Sequence, residues 1–225
     1  MLVLIIIVAA VAAWWFLSSH DSAATKAALK GAKRNDEQKK VIRYFLNDGC
    51  GAKRISDAEY DQIVRKAVDS LNLKQRALNK IGLDESELQE IAPVYLEGYN
   101  FKKAYQRQRD NGMWVSSCFQ CTWLFFSDKQ VYFYTYTLNT DCDEKRESSE
   151  EYFYRDIVNF NQVNETEEVR VYPKGSKDGE LVKVETSQFS IVVPGDKNFV
   201  AMTPSEENER AIKGMKAKLR EKKNV

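Results

Sequence analysis

The sequence predicts an α+β protein, helical in its first half and built from antiparallel strands in its second, behind an apolar N-terminal segment. Three observations carry this. Leu2–Leu17 (LVLIIIVAAVAAWWFL) is sixteen residues long and bears no charge. From Ser22 to Pro93 the apolar residues recur at helical spacing. Beyond Met113 the chain turns aromatic and β-branched, with turn chemistry between its runs, before ending in an amphipathic segment after Thr203.

The apolar run reads as a transmembrane anchor over residues 1–20, since a helical span needs about 17–25 such residues and Met1, Ser18 and Ser19 can extend it. Trp14 and Trp15 stand at one end, where amphipathic rings favour the membrane–water boundary. A cleavable signal peptide would need a basic leader and a small-residue cleavage site, and Ser18-Ser19-His20-Asp21-Ser22-Ala23 makes a poor one. Lys26, Lys30, Lys33 and Arg34 follow the run and no basic side chain precedes it, so the polar bulk is expected on the cytoplasmic side of a cell membrane, crossed once. Four cysteines fit a reducing compartment, which does not require them to pair.

Residues 21–55 read as a basic helical stem and linker. Alanines alternate with lysines, Val41, Ile42, Phe45 and Leu46 add a short apolar stripe, and Asp48-Gly49-Cys50-Gly51 ends it. Ser22–Asp48 carries seven Lys/Arg against three acids, which is either a solvated face or a surface for anionic lipid headgroups. Residues 56–97 form a helical region. Ser56-Asp57-Ala58-Glu59 is a capping box, a stripe from Tyr60 to Leu71 runs on through Ala77, Leu78 and Ile81 to Gly82, and Asp84 caps a short helix through Ile91.

Strands are expected at Met113–Phe126, Val131–Leu138, Glu151–Tyr154, Ile157–Gln162, Val169–Tyr172, Leu181–Glu185, Phe189–Val193 and Phe199–Met202. Asp141–Glu151, with six acids against two bases, reads as an exposed loop. In the final helix Thr203 is expected at the N-cap, Pro204 at N1 and Glu206 at N3, with Ala211, Ile212, Met215 and Leu219 as the buried stripe.

This order resembles the pleckstrin-homology-like superfold, an antiparallel β-barrel closed by a C-terminal α-helix. Leu124-Phe125-Phe126-Ser127-Asp128-Lys129-Gln130-Val131-Tyr132 resembles the first hairpin of bacterial PH-like and GRAM-like domains, and Tyr152-Phe153-Tyr154-Arg155-Asp156-Ile157 their aromatic corner. The similarity covers roughly Gly98–Lys223 within an expected domain of residues 98–225, and Arg76–Tyr99 resembles the segment that precedes such domains in bacterial membrane-anchored proteins. The resemblance implies an architecture and no activity.

The only histidine, His20, lies beside the apolar run, which leaves the folded part without the commonest general base. There is no Gly-rich phosphate loop, and balanced charge argues against a nucleic-acid binder. The expectation is a protein that is not an enzyme and holds no cofactor. Cys118-Phe119-Gln120-Cys121 is a lone CxxC whose members would point to opposite faces of a strand. Zinc would need two further ligands, such as Cys50 and Cys142, so ordinary thiols, one buried and one less so, are the simpler reading.

Two surfaces remain as candidates. Lys102, Lys103, Arg107 and Arg109 would suit an anionic lipid if they shared one face of a strand, although a solvated strand face is the plainer reading. Trp114, Trp123, Tyr132, Tyr134 and Tyr136 belong to an aromatic cluster too large for one core, so some either pack beneath the helical region or form a partner surface. The leading expectation is a non-catalytic, membrane-anchored module that binds a protein or peptide; the alternative is an anionic-lipid-binding module.

Overall fold

The computed structural model describes residues 21–31, 33–47, 54–88, 92–172 and 179–223. The expected span lies outside them, and no helix among the described residues is long and apolar enough to cross a membrane. The chain is a mixed α+β protein with antiparallel sheets and a C-terminal helix.

Helix α1 (Ala23–Lys30) is capped by Ser22, whose hydroxyl accepts from the Thr25 amide, and α2 (Asp36–Leu46) by an Asn35–Gln38 capping box. The two fold back on each other: the Ser22 amide donates to Asn47 Oδ1 at 3.0 Å and Arg43 grips the Asp21 carboxylate through two hydrogen bonds. The segment expected as a stem is therefore a helical hairpin, and it buries Val41, Ile42, Tyr44, Phe45 and Leu46 in the main core. Helix α3 (Asp57–Asp69) starts at the expected Ser56–Glu59 capping box. The stripe that reads as continuous to Ile81 is broken at Asn72, which takes the left-handed conformation (φ 45°) before α4 (Leu73–Ile81). Of the short helix expected after Asp84, Glu85–Leu88 is a 3₁₀ turn.

Strands β1 (Val94–Asn100), β4 (Cys118–Phe126), β5 (Gln130–Asn139) and β6 (Lys145–Phe153) form a sheet in the order β1-β4-β5-β6. Strands β2 (Gln106–Gln108) and β3 (Trp114–Ser116) make a separate hairpin. The second sheet is β7 (Asn159–Val171), β8 (Glu180–Val193) and β9 (Asp196–Ala201) in sequence order. Each of the two longest strands merges a pair expected as separate short ones. Their polar middles, such as Asn164–Glu168, lack the alternation that marks a half-buried strand, and the β7–β8 pairing carries them.

Neither sheet closes into a barrel, which corrects the expected closed form. The 3₁₀ turn Tyr154–Asp156 parts β6 from β7, so the sheets stack as two open layers. The four-stranded sheet is the middle layer. Phe119, Cys121, Phe125, Tyr132, Tyr134, Tyr136 and Leu138 face the helices, whereas Leu124, Phe126, Val131 and Phe133 pack on Phe160, Phe189 and Ile191 of the second sheet. Antiparallel register enforces this, since Trp123 pairs with Tyr134 and Leu124 with Phe133 on alternate faces.

Helix α5 (Glu206–Lys223) completes the second core with Ile212, Met215 and Leu219. Its cap lies two residues beyond the expected one. Ser205 Oγ accepts from the Asn208 amide, because Thr203 is held in the sheet layer by donating its own amide to the Glu97 carbonyl at 2.7 Å. There β1 and the end of β9 approach so closely that a Cβ on Gly98 would lie 2.8 Å from the Met202 nitrogen. Gly98→Ala should lower stability by about 1–3 kcal/mol, the usual range for overpacking against backbone. A urea midpoint equal to the parent's would show that the edges part at no cost.

Candidate functional site

The four basic residues of Lys102–Arg109 do not form one patch. Lys103 sits in the turn before β2 with φ 54°, and it and Lys102 are exposed. Arg107 turns toward the helices, donating to the Tyr44 carbonyl at 2.9 Å with its guanidinium 5.2 Å from the centre of that ring. Arg109 is 8% exposed; it is hydrogen-bonded to Asp61 and lies beside Asp57, so α3 neutralises it. Tyr44 closes the same network, donating to Asp57 Oδ1 at 2.7 Å, and burial with that carboxylate pushes its hydroxyl up to about 12. The two arginines fasten the β2–β3 hairpin to the helical layer.

The aromatic cluster is likewise largely covered. Tyr132, Tyr134 and Tyr136 are buried beneath the helices, which is the packing alternative and removes them from any open surface. Tyr134 donates to Glu147 Oε1 at 3.0 Å, and Arg76 of α4 binds the same carboxylate while its guanidinium lies over Tyr136 at 5.3 Å. Trp123 is half-buried, stacked on Phe125 and leaning on Tyr95. Trp114 is half-buried on β3.

Cys118 and Cys121 point to opposite faces of β4, as expected, but both are buried, where one was expected to be less so. Burial pushes both thiols up to about 12, so neither is a thiolate near neutral pH. Cys142 is a half-buried thiol, while Cys50 and His20 lie outside the described residues. Among the described residues no three His, Cys, Asp or Glu side chains are grouped to hold a metal ion.

What the fold does assemble is a groove of about 860 Å³, open to solvent, between α2, α3 and the β5–β6 turn. Ile63 and Ala67 of α3 and Leu71 in the turn after it form one apolar wall, and Tyr136 and Leu138 of β5 lie against it. Glu37, Asp143 and Glu144 rim it, with Lys145 at one end, so the mouth carries a net negative charge. The walls are braced across long sequence separations. Gln38 Nε2 donates to Asp143 Oδ1 at 2.6 Å, and Arg34 Nε donates to the Asp141 carbonyl at 2.9 Å. Burial raises the Asp141 carboxyl despite Arg34 nearby. A smaller cleft of about 380 Å³ opens at the end of the sheet stack between Tyr99, Gln120, Gln188 and Phe199.

Of the groove residues, only Tyr136, as part of the aromatic cluster, and Cys142, as a possible zinc ligand, were singled out from sequence. Ile63 and Leu71 read as ordinary stripe positions, and Asp143 and Glu144 as part of an exposed acidic loop, although β6 begins at Lys145. The one available signal was the concentration of acids just after an aromatic strand. No protein-family model matches this chain, and no curated protein and no solved structure matches it.

Proposed function

We propose that this protein is a non-catalytic, single-pass membrane-anchored module of pleckstrin-homology-like kind, with its sheets as an open sandwich, that binds a peptide segment of a protein partner at the cytoplasmic face of the membrane. The groove carries the reading. It offers an apolar wall within a largely polar groove at the start of β6, which is the edge of its sheet, and an acidic mouth. An extended segment with an apolar side chain flanked by Lys or Arg fits that chemistry, with backbone pairing and a side-chain pocket as its two sources of affinity. Four strands, then three, then a closing helix support the architectural part. Leu2–Leu17 and the lysines after it support the anchor and its orientation.

The alternative, an anionic-lipid module built on Lys102, Lys103, Arg107 and Arg109, has weaker support, because both arginines are engaged with the helical layer.

The test uses the full-length protein with a photo-crosslinking side chain in place of Ala67. Irradiation in the native membrane should give a discrete protein adduct whose cross-linked peptide is apolar and basic. Glu37→Lys with Glu144→Lys, which reverses the rim, should reduce that adduct on the order of tenfold, as charge complementarity governs encounter. Both positions are exposed, and Glu37 gives up only a surface pair with Lys66, so the thermal midpoint should hold. Adducts with lipid alone, or a protein adduct indifferent to the reversal, would remove the groove from the function.

A further inference from the structure

Of the seven basic residues between Ser22 and Asp48, the fold engages Arg34, Lys39 and Arg43, leaves Lys40 exposed on α2, and leaves Lys26, Lys30 and Lys33 exposed ahead of α2. Arg34 is 11% exposed and turned to Asp141, Arg43 holds Asp21, and Lys39 pairs with Asp36. Lys26, Lys30 and Lys33 are exposed and form no ion pair with a described residue. Lys26 and Lys30 are four apart, so they lie on one side of α1, with Ala23 and Ala27 exposed between and beside them. The opposite side of α1 packs through Thr25, Ala24, Ala28 and Leu29 on the body of the protein.

This face is tied close to the apolar run. Asp21 is held by Arg43 and Asn47, and the Ser22 amide by Asn47, so the folded body begins there with no spacer after it. Only Ser18, Ser19 and His20 separate Asp21 from Leu17, and four backbone steps reach at most about 14 Å. We infer that the exposed Lys26–Lys30 side of α1, with exposed Lys33 in the link after it, docks on anionic lipid headgroups and so fixes how the folded body lies on the membrane. The inference rests on the anchor proposed above. The charge has the right sign, and three lysines within the headgroup field give a bias that a tether of this length keeps continuously engaged. Asn35, Glu37 and Gln38 of the groove follow directly after this face, so docking also sets the groove beside the bilayer surface.

The experiment reconstitutes the full-length protein into vesicles of phosphatidylcholine alone, or of phosphatidylcholine and phosphatidylglycerol in equal parts. An alkaline carbonate wash followed by flotation reports the anchor in either lipid. Lysine acylation, read by mass spectrometry, reports docking, with exposed Lys183 on the second sheet as the internal reference. Lys26, Lys30 and Lys33 should react on the order of tenfold more slowly on the anionic vesicles only, and high salt should abolish the difference. Equal reactivity on both lipids, with the protein surviving the wash, overturns the docking inference and leaves the anchor standing. Release by the wash with protection retained sinks the anchor and supports the lysine face as a peripheral contact. Release with equal reactivity sinks both.

Discussion

Replacing Tyr60 with alanine should lower the unfolding free energy by about 3–5 kcal/mol, the range for deleting a large aromatic side chain from a packed core. Tyr60 is 0% exposed and sits where α2, α3 and the β-layers meet. Its ring stacks on Tyr44 at 4.7 Å and meets Phe45 edge-on at 5.2 Å. Its hydroxyl donates to the Ser116 carbonyl at 2.6 Å, with Thr140 Oγ1 at 3.2 Å. The substitution therefore leaves both a cavity and a buried carbonyl short of a donor. Tyr60→Phe keeps the ring and should cost about 1–2 kcal/mol, which separates the two contributions. Hydrogen exchange should accelerate first in α1–α4 and the β2–β3 hairpin, since Tyr60 belongs to the helix-facing core and not to the one between the sheets. If exchange rises equally in β7–β9, the two cores act as one cooperative unit.

Alkaline pH should unfold the protein steeply above about pH 10. Tyr44, Tyr60 and Tyr134 are at most 1% exposed, and burial raises all three hydroxyls, Tyr44 to about 12 and Tyr60 well above its ordinary value. Glu147 beside Tyr134 and Asp57 beside Tyr44 raise those two further. The sign follows from proton linkage. Below the unfolded pKa of 10.0 the tyrosines are neutral in both states and their packing is fully available. Above it the unfolded chain releases protons that the folded chain keeps, so stability falls as pH rises toward the folded values. Each such group contributes about 1.4 kcal/mol per pH unit, and three together about 4, enough to exhaust an ordinary stability within about two or three units. Phenolate absorbance and near-ultraviolet circular dichroism followed together should change in one cooperative step. Full ionisation of the tyrosines with the dichroism intact would show that they reach solvent in the folded state.

The helix–strand order was legible because it depends on near neighbours. Ser56 and Glu59 are three residues apart, and their capping box is visible in the sequence alone. Val131–Leu138 alternates and is a strand with nearly the expected bounds. The misreadings occur where a distant partner decides. The β6 strand looked like a loop, because Lys145, Arg146, Glu147, Glu150 and Glu151 are what a sheet edge needs in order to stay soluble. The basic run at Lys102–Arg109 read as a solvated strand face, with a lipid site as the alternative, and neither reading anticipates that Asp61, 48 residues away in sequence, claims Arg109. The groove left no trace beyond the acids that follow an aromatic strand, since its walls come from α3 and β5 and are braced by Gln38 and Asp143, which lie 105 residues apart.

By itself, then, the sequence determined most of the helices and the aromatic and C-terminal strands, and that the second half pairs antiparallel, but not β1, which lies partly in the segment expected to be helical, nor β2 or β6. Periodicity, capping and turn chemistry are properties of residues within a few positions of each other. Only the tertiary structure decided that the aromatic sheet is a middle layer with both faces covered, that the stretch after the apolar run is a folded hairpin, and that an acidic groove opens between them. Each of those depends on which surfaces meet and which charges are neutralised across long separations, and side-chain pattern along the chain carries no record of that.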